Sequence, residues 1–134
     1  MPSSLEDVYD RLYGIILLRF PDIVKAVIPT RDALGRVIRM RIIFIDGSFL
    51  DVRWNKYGEY SLHWERRHID GTLYRYDNAP HWSNIATYPH HFHCGREDNV
   101  VESKLPSDPL NAVMYFLEFI RQRILGTGDK TRNP

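Results

Sequence analysis

The sequence predicts an α+β fold: a single twisted antiparallel β-sheet of about five strands, with an N-terminal and a C-terminal helix packed on one face. Three observations carry this expectation. Apolar residues near both ends recur at helical spacing, while those between them alternate with period two. Two copies of Ile-Asp-Gly, residues 45–47 and 69–71, sit between alternating segments as hairpin turns do. One alternating face is apolar and the other charged, the pattern of a sheet covered on one side only.

Taken in order, Ser4 caps a helix whose Leu5, Val8, Tyr9, Leu12, Ile15 and Ile16 form one stripe, and Pro21 ends it. "DIVKAVIP" reads as the first strand, followed by a turn at "TRDALGR". "RVIRMRIIF" and "SFLDVRW" then form a hairpin, with Gly47 in the left-handed position of a three-residue turn. Setting Phe44 opposite Ser48 aligns Ile42 with Leu50, Met40 with Val52 and Ile38 with Trp54. The opposite face then holds Arg39, Arg41 and Arg53, with Arg41 facing Asp51. A second hairpin joins "YSLHWERRH" to "TLYRYDN". Pairing His68 with Thr72 sets Glu65 against Arg75 and His63 against Asp77. One face would hold Leu62, Trp64, Tyr74 and Tyr76, and the other an ionisable set. After Asn78 the periodicity fails, and Pro80, Pro89, Gly95 and Pro106 punctuate a long loop. Ser107 or Asp108 caps the last helix, with Pro109 in its first turn and Gly126 as its stop. Its stripe is Leu110, Val113, Met114, Leu117, Ile120 and Ile124. The layout is one domain over residues 1–126, with 127–134 expected as a disordered tail.

Composition narrows the function. A net charge of +1 excludes a globally basic nucleic-acid coat. The single Cys94 excludes an internal disulfide framework and a four-cysteine zinc site. The apolar run "YGIILLRF" falls short of a membrane span and is broken by Arg19. The start "MPSSLEDVYD" is unlike a signal peptide, so the expected compartment is the cytoplasm, with no membrane partner. Arginines are frequent through the strand region, at 36, 39, 41, 53, 66, 67 and 75, which suits planar recognition of phosphate or carboxylate.

The segment "YDNAPHWSNIATYPHHFHCGREDNVVESK", residues 76–104, gathers His81, His90, His91 and His93 out of six histidines in the chain. Its runs "YRYDNAP", "YPHHFH" and "NVVESK" resemble the TumE family of small bacterial and archaeal toxins from toxin–antitoxin pairs. The resemblance is strongest from Tyr74 to Lys104 and extends more weakly to "YSLHW", residues 60–64. Where that family often carries a second histidine after Ala-Pro-His, this chain has Trp82. The resemblance implies a toxin with a cognate antitoxin as partner, and it assigns no catalytic residue.

The residues themselves allow metal-free RNA cleavage. That reaction needs a base for the 2′-OH, an acid for the leaving 5′-oxygen and cations against the phosphorane. His81, His90, His91 and His93 could exchange the protons, with Arg75 and Asp77 completing the catalytic set. Arg67, Tyr74, Tyr76, Asn78 and Tyr88 are the substrate-binding candidates, and Trp82 is a further base platform. RNA is then the substrate and no cofactor is required. The alternative is a metal-dependent nuclease or hydrolase that holds zinc or another divalent ion on His81, His91 and His93. His91 and His93 would share one face of an extended segment, His81 or Asp77 could complete a three-ligand site, and Cys94 is a further candidate ligand. A third reading is a binding protein without catalysis, and a homodimer is left open. The plainer alternatives are core packing for Tyr74, Tyr76, Trp64 and Trp82, an Asx turn at Asp77–Asn78, and an ordinary thiol at Cys94.

Overall fold

The computed structural model describes residues 4–126. Helix α1, Leu5–Arg19, starts where the Ser4 hydroxyl accepts the Asp7 amide at 3.1 Å, and Glu6 and Asp7 lie favourably at its positive end. It buries Tyr9, Leu12 and Ile16 and ends at Phe20, just before Pro21. The strands are β1 Val24–Arg31, β2 Val37–Phe44, β3 Phe49–Trp54, β4 Tyr60–Arg66, β5 Thr72–Asp77, β6 His91–Gly95 and β7 Val100–Glu102. They form one sheet in which spatial order equals chain order, and every neighbouring pair is antiparallel. Helix α2, Arg67–Asp70, is a single turn, and helix α3 runs Pro109–Leu125. Asp108 supplies the α3 cap, and Gly126 closes it at φ 67°.

Both long helices and one sheet face share a single core. From the sheet it takes Met40, Ile42, Phe44, Leu50, Val52, Leu62, Trp64, Tyr74, Tyr76 and Phe92; α3 adds Val113, Phe116, Leu117 and Ile120. Among the described residues neither long helix packs on the other face, where Asp77, His91 and His93 are nevertheless buried.

Two expectations are corrected here. The sheet has seven strands, because β6 and β7 arise from the stretch expected to be loop. They are short, and their outward positions carry histidine and acidic residues, so alternation does not stand out. The second hairpin is also shifted by two residues: His63 pairs with Arg75 and Glu65 with Leu73, while Asp77 faces Ser61. The cause is the helical turn at Arg67–Asp70, which lengthens the connection, with Gly71 at φ 81° as its left-handed end. An even shift keeps each side chain on its expected face. In the first hairpin the expected register holds from Met40–Val52 to Ile42–Leu50, and the Phe44 amide bonds the Ser48 carbonyl at 2.9 Å. Its apolar face breaks at Ile38, which is half exposed while Val37 is buried, because a bulge shifts the β1–β2 register between Thr30 and Arg31. The expected tail, residues 127–134, lies outside the described residues.

Candidate active site

On the face opposite the helices, alternation aligns residues of successive strands in rows. One row reads Arg41–Asp51–His63–Arg75–His93, and the next reads Arg53–Ser61–Asp77–His91–Glu102. At β5 and β6 these rows bring Arg75, Asp77, His91 and His93 together. With Ala79, His81, Trp82, Glu97 and Asp98 they line a pocket of about 410 Å³.

His91 and His93 are buried, and both are oriented through their second ring nitrogen. Nδ1 of His91 lies 3.0 Å from the Pro89 carbonyl, and Nδ1 of His93 lies 2.8 Å from the Glu97 carbonyl. A carbonyl only accepts, so each Nδ1 carries a proton and each Nε2 points into the pocket. The two Nε2 atoms are 3.1 Å apart. Asp77 meets His91 Nε2 at 3.0 Å through Oδ1 and His93 Nε2 at 3.6 Å through Oδ2. Two bare lone pairs at that separation, beside a carboxylate, would repel. The network closes when one proton sits between the Nε2 atoms and Asp77. Arg75 completes it, donating from a terminal nitrogen to His93 Nε2 at 3.2 Å and from Nε to Asp77 Oδ2 at 3.0 Å.

Burial pushes the Asp77 carboxyl up. Hydrogen bonding by His93, the Ala79 amide and Arg75, together with the charge of His91, outweighs it and holds the group at about 2. Asp77 is therefore a fixed negative charge in the pocket. Arg75 also donates to the exposed Glu97 with both terminal nitrogens. Beside it, His63 bonds Glu65 at 2.9 Å, and Glu65 is held at about 2 chiefly by Arg67, against a cost of burial.

The other expected site residues divide. His81 is exposed and lines the pocket. Trp82 lines it too, edge-on to His91 and His93 with ring centroids 6.3 Å away. His90 points elsewhere: its Nδ1 meets the Tyr60 hydroxyl at 2.9 Å and its ring stacks on Tyr60. The alternation that separates it from His91 is the reason. Tyr74 and Tyr76 face the core, stacked on Trp64 and Phe92 respectively, so the expectation that they hold bases is corrected in favour of packing. Asn78 ties the end of β4, accepting from the Tyr60 amide at 3.1 Å and donating to the Gly58 carbonyl at 3.0 Å. Arg67 lies on α2 with its guanidinium on Glu65, outside the pocket lining, and Tyr88 is exposed outside it as well.

The three ligand-bearing groups that lie within 4.8 Å of one another are Asp77, His91 and His93; His81 is not among them. Cys94 is paired with Tyr74 on the core side and is not part of that set. Sequence reading missed Glu97 altogether. Its acidic side chain in a turn after β6 gives no local sign that it reaches back to Arg75.

Among the described residues no helix is long and apolar enough to cross a membrane. No curated protein and no solved structure matches the chain. The family model described as Toxin TumE matches residues 15–124, from the middle of α1 to the last turn of α3. That span takes in all seven strands and every group lining the pocket, and by it the chain belongs to the Toxin TumE family.

Proposed function

We propose that this toxin is a ribonuclease that cleaves RNA without a metal, through the 2′-hydroxyl, in the pocket of Asp77, His91, His93 and Arg75. The observation that carries the reading is the pair of histidine Nε2 atoms 3.1 Å apart, each ring fixed by a backbone carbonyl at Nδ1. Such a pair stores one transferable proton beside a charged carboxylate and a guanidinium. In-line displacement needs the acid and the base on opposite sides of phosphorus, and two nitrogens this close act on one side only. The pair therefore serves as the acid, and His81, elsewhere on the pocket lining, serves as the base. His81 takes the 2′-OH proton, the 2′-oxygen bonds to phosphorus, and the P–O5′ bond breaks. The leaving oxygen collects the stored proton. Arg75 exchanges the exposed Glu97 for the non-bridging oxygens as their charge grows. The products are a 2′,3′-cyclic phosphate and a 5′-hydroxyl. The partner of such a toxin is a cognate antitoxin that covers this pocket.

A second reading has its own support. Asp77, His91 and His93 each present a ligand atom within 4.8 Å of the other two, with the two Nε2 atoms 3.1 Å apart. Ligands about 2.0–2.2 Å from a tetrahedral zinc ion are spaced similarly, and metal-bound histidines commonly donate Nδ1–H to a carbonyl. Arg75 argues against it, since its guanidinium already occupies His93 Nε2 and Asp77 Oδ2.

One assay tests both. Purified protein is incubated with labelled single-stranded RNA in excess EDTA, and again with added zinc or manganese. Cleavage in EDTA leaving cyclic phosphate ends, with loss of about 100-fold or more in His93→Ala and His81→Ala, is the expected result. Cleavage only with added metal replaces this reading by the second. Absence of cleavage in every condition removes ribonuclease activity from the protein.

A further inference from the structure

The sheet face opposite the helices carries more cationic side chains than the pocket uses, and several are already neutralised. Arg41 is bidentate to Asp51, at 2.8 and 2.9 Å. Arg67, in the turn at α2, is held by Glu65, and Arg75 by Asp77 and Glu97. Arg39, Arg53 and Lys56 differ: among the described residues none of them has a carboxylate within ion-pair distance. All three line one groove of about 910 Å³. The acids on its lining are Glu6, Asp32 and Glu59. Asp32 is occupied by Arg36, and Glu59 accepts from Asn55.

The groove and the pocket share no lining residue, but they are linked through one strand register. Ser61 lines the groove, and Ser61 is the register partner of both Arg53 and Asp77. The row therefore runs Arg53–Ser61–Asp77–His91 without interruption, Arg53 lying about 10 Å from Asp77 across two strand spacings. Arg39 is two residues along β2 from Arg41 and faces the same way. Trp54 and Tyr60 also line the groove, but alternation sets them on the core side with Val52 and Leu62, opposite Arg53 and Ser61.

We infer that this groove is an extended subsite for a single strand of RNA, which crosses the sheet from the pocket toward β2 with its phosphates on Arg53, Arg39 and Lys56. Unpaired cations in a row repel one another until an anion lies between them, and a phosphodiester chain supplies anions at regular intervals. The inference rests on the ribonuclease reading for the identity of the strand, but the binding can be measured apart from cleavage.

The test is fluorescence anisotropy with a labelled single-stranded oligoribonucleotide of about 12 nucleotides. It is done in EDTA at several salt concentrations, on the wild type, on the catalytically impaired His93→Ala and on Arg39→Glu/Arg53→Glu. The charge reversals lie on the surface of the sheet, and circular dichroism with a thermal melt checks that they fold. The doubly reversed protein is expected to bind about 10-fold or more weakly. Its dependence on salt should be shallower by about 1.4 in log–log slope, for two phosphates no longer contacted. A dinucleotide, too short to reach Arg53, should be cleaved as by the wild type. Unchanged affinity and slope in the double variant would overturn the subsite even if RNA is cleaved. Binding that depends on Arg39 and Arg53 in a protein that cleaves nothing would keep the subsite and remove the ribonuclease reading. Capture of an acidic peptide on these arginines, with no RNA binding, would assign the groove to a protein partner and overturn the inference.

Discussion

At the scale of single residues, the molecule turns on Asp77. It is buried, yet it stays charged because four neighbours, His93, Ala79, Arg75 and His91, donate to it or oppose its charge. Its folded-state value, about 2, lies below the ordinary 3.8, so ionisation favours the folded form. That contribution is fully present above about pH 4 and disappears as pH falls through about 2. Asp77→Asn should therefore lower stability by roughly 2 kcal/mol at neutral pH, with the gap closing near pH 2. Urea unfolding of both proteins across that range is the measurement, and a gap independent of pH would contradict the assignment. Some of this was legible in the sequence. Period-two spacing placed His91 and His93 on one face and His90 on the other, and the faces of β5 followed from the same rule. Asp77 was joined to His91 and His93 only as one of two choices of third ligand, because the register that sets it against His91 depends on β6 being a strand that pairs with β5.

At the scale of elements, the two hairpins are joined through a polar knot beneath the first turn. Ser48 is fully buried; its hydroxyl donates to Asp46 at 2.6 Å and accepts from Trp64 Nε1 at 3.0 Å. Asp46 in turn holds Arg66. The β2–β3 turn is thus fastened to β4 by side chains as well as by the ladder. Ser48→Ala would leave the indole N–H buried without an acceptor, at a cost of about 1–3 kcal/mol. Thermal unfolding should drop by roughly 3 °C per kcal/mol lost. Element boundaries were readable where local chemistry marks them: Ser4 before α1, Asp108 and Pro109 at α3, and Gly47 in the first turn all stand where their residue types predict. The second turn was misjudged because Ile-Asp-Gly there ends a helical turn, which the same three residues do not do at 45–47. Strands β6 and β7 escaped notice for a related reason. They are five and three residues long, and their alternation is masked by the histidines of the site itself.

At the scale of the whole molecule, the pocket depends on a layer it never touches. Phe116 of α3 packs edge-on against Tyr76 and Phe92, with centroids 4.9 and 6.4 Å away, and so braces from behind the two strands that carry Asp77, His91 and His93. Phe116→Ala should cost about 3–5 kcal/mol. Activity should then fall with the folded fraction and recover on cooling or with a stabilising osmolyte, whereas His93→Ala should respond to neither. A melting curve read beside the cleavage rate separates the two. Because strand order follows chain order, the sheet can grow outward from the first hairpin as synthesis proceeds. The strand that brings the two histidines is the sixth of seven, and its brace follows at residues 109–125. A nascent chain on the ribosome therefore holds the groove before it holds the His91–His93 pair. The grouping of Asp77, His91 and His93 would then be braced only once the helix at residues 109–125 has packed behind it.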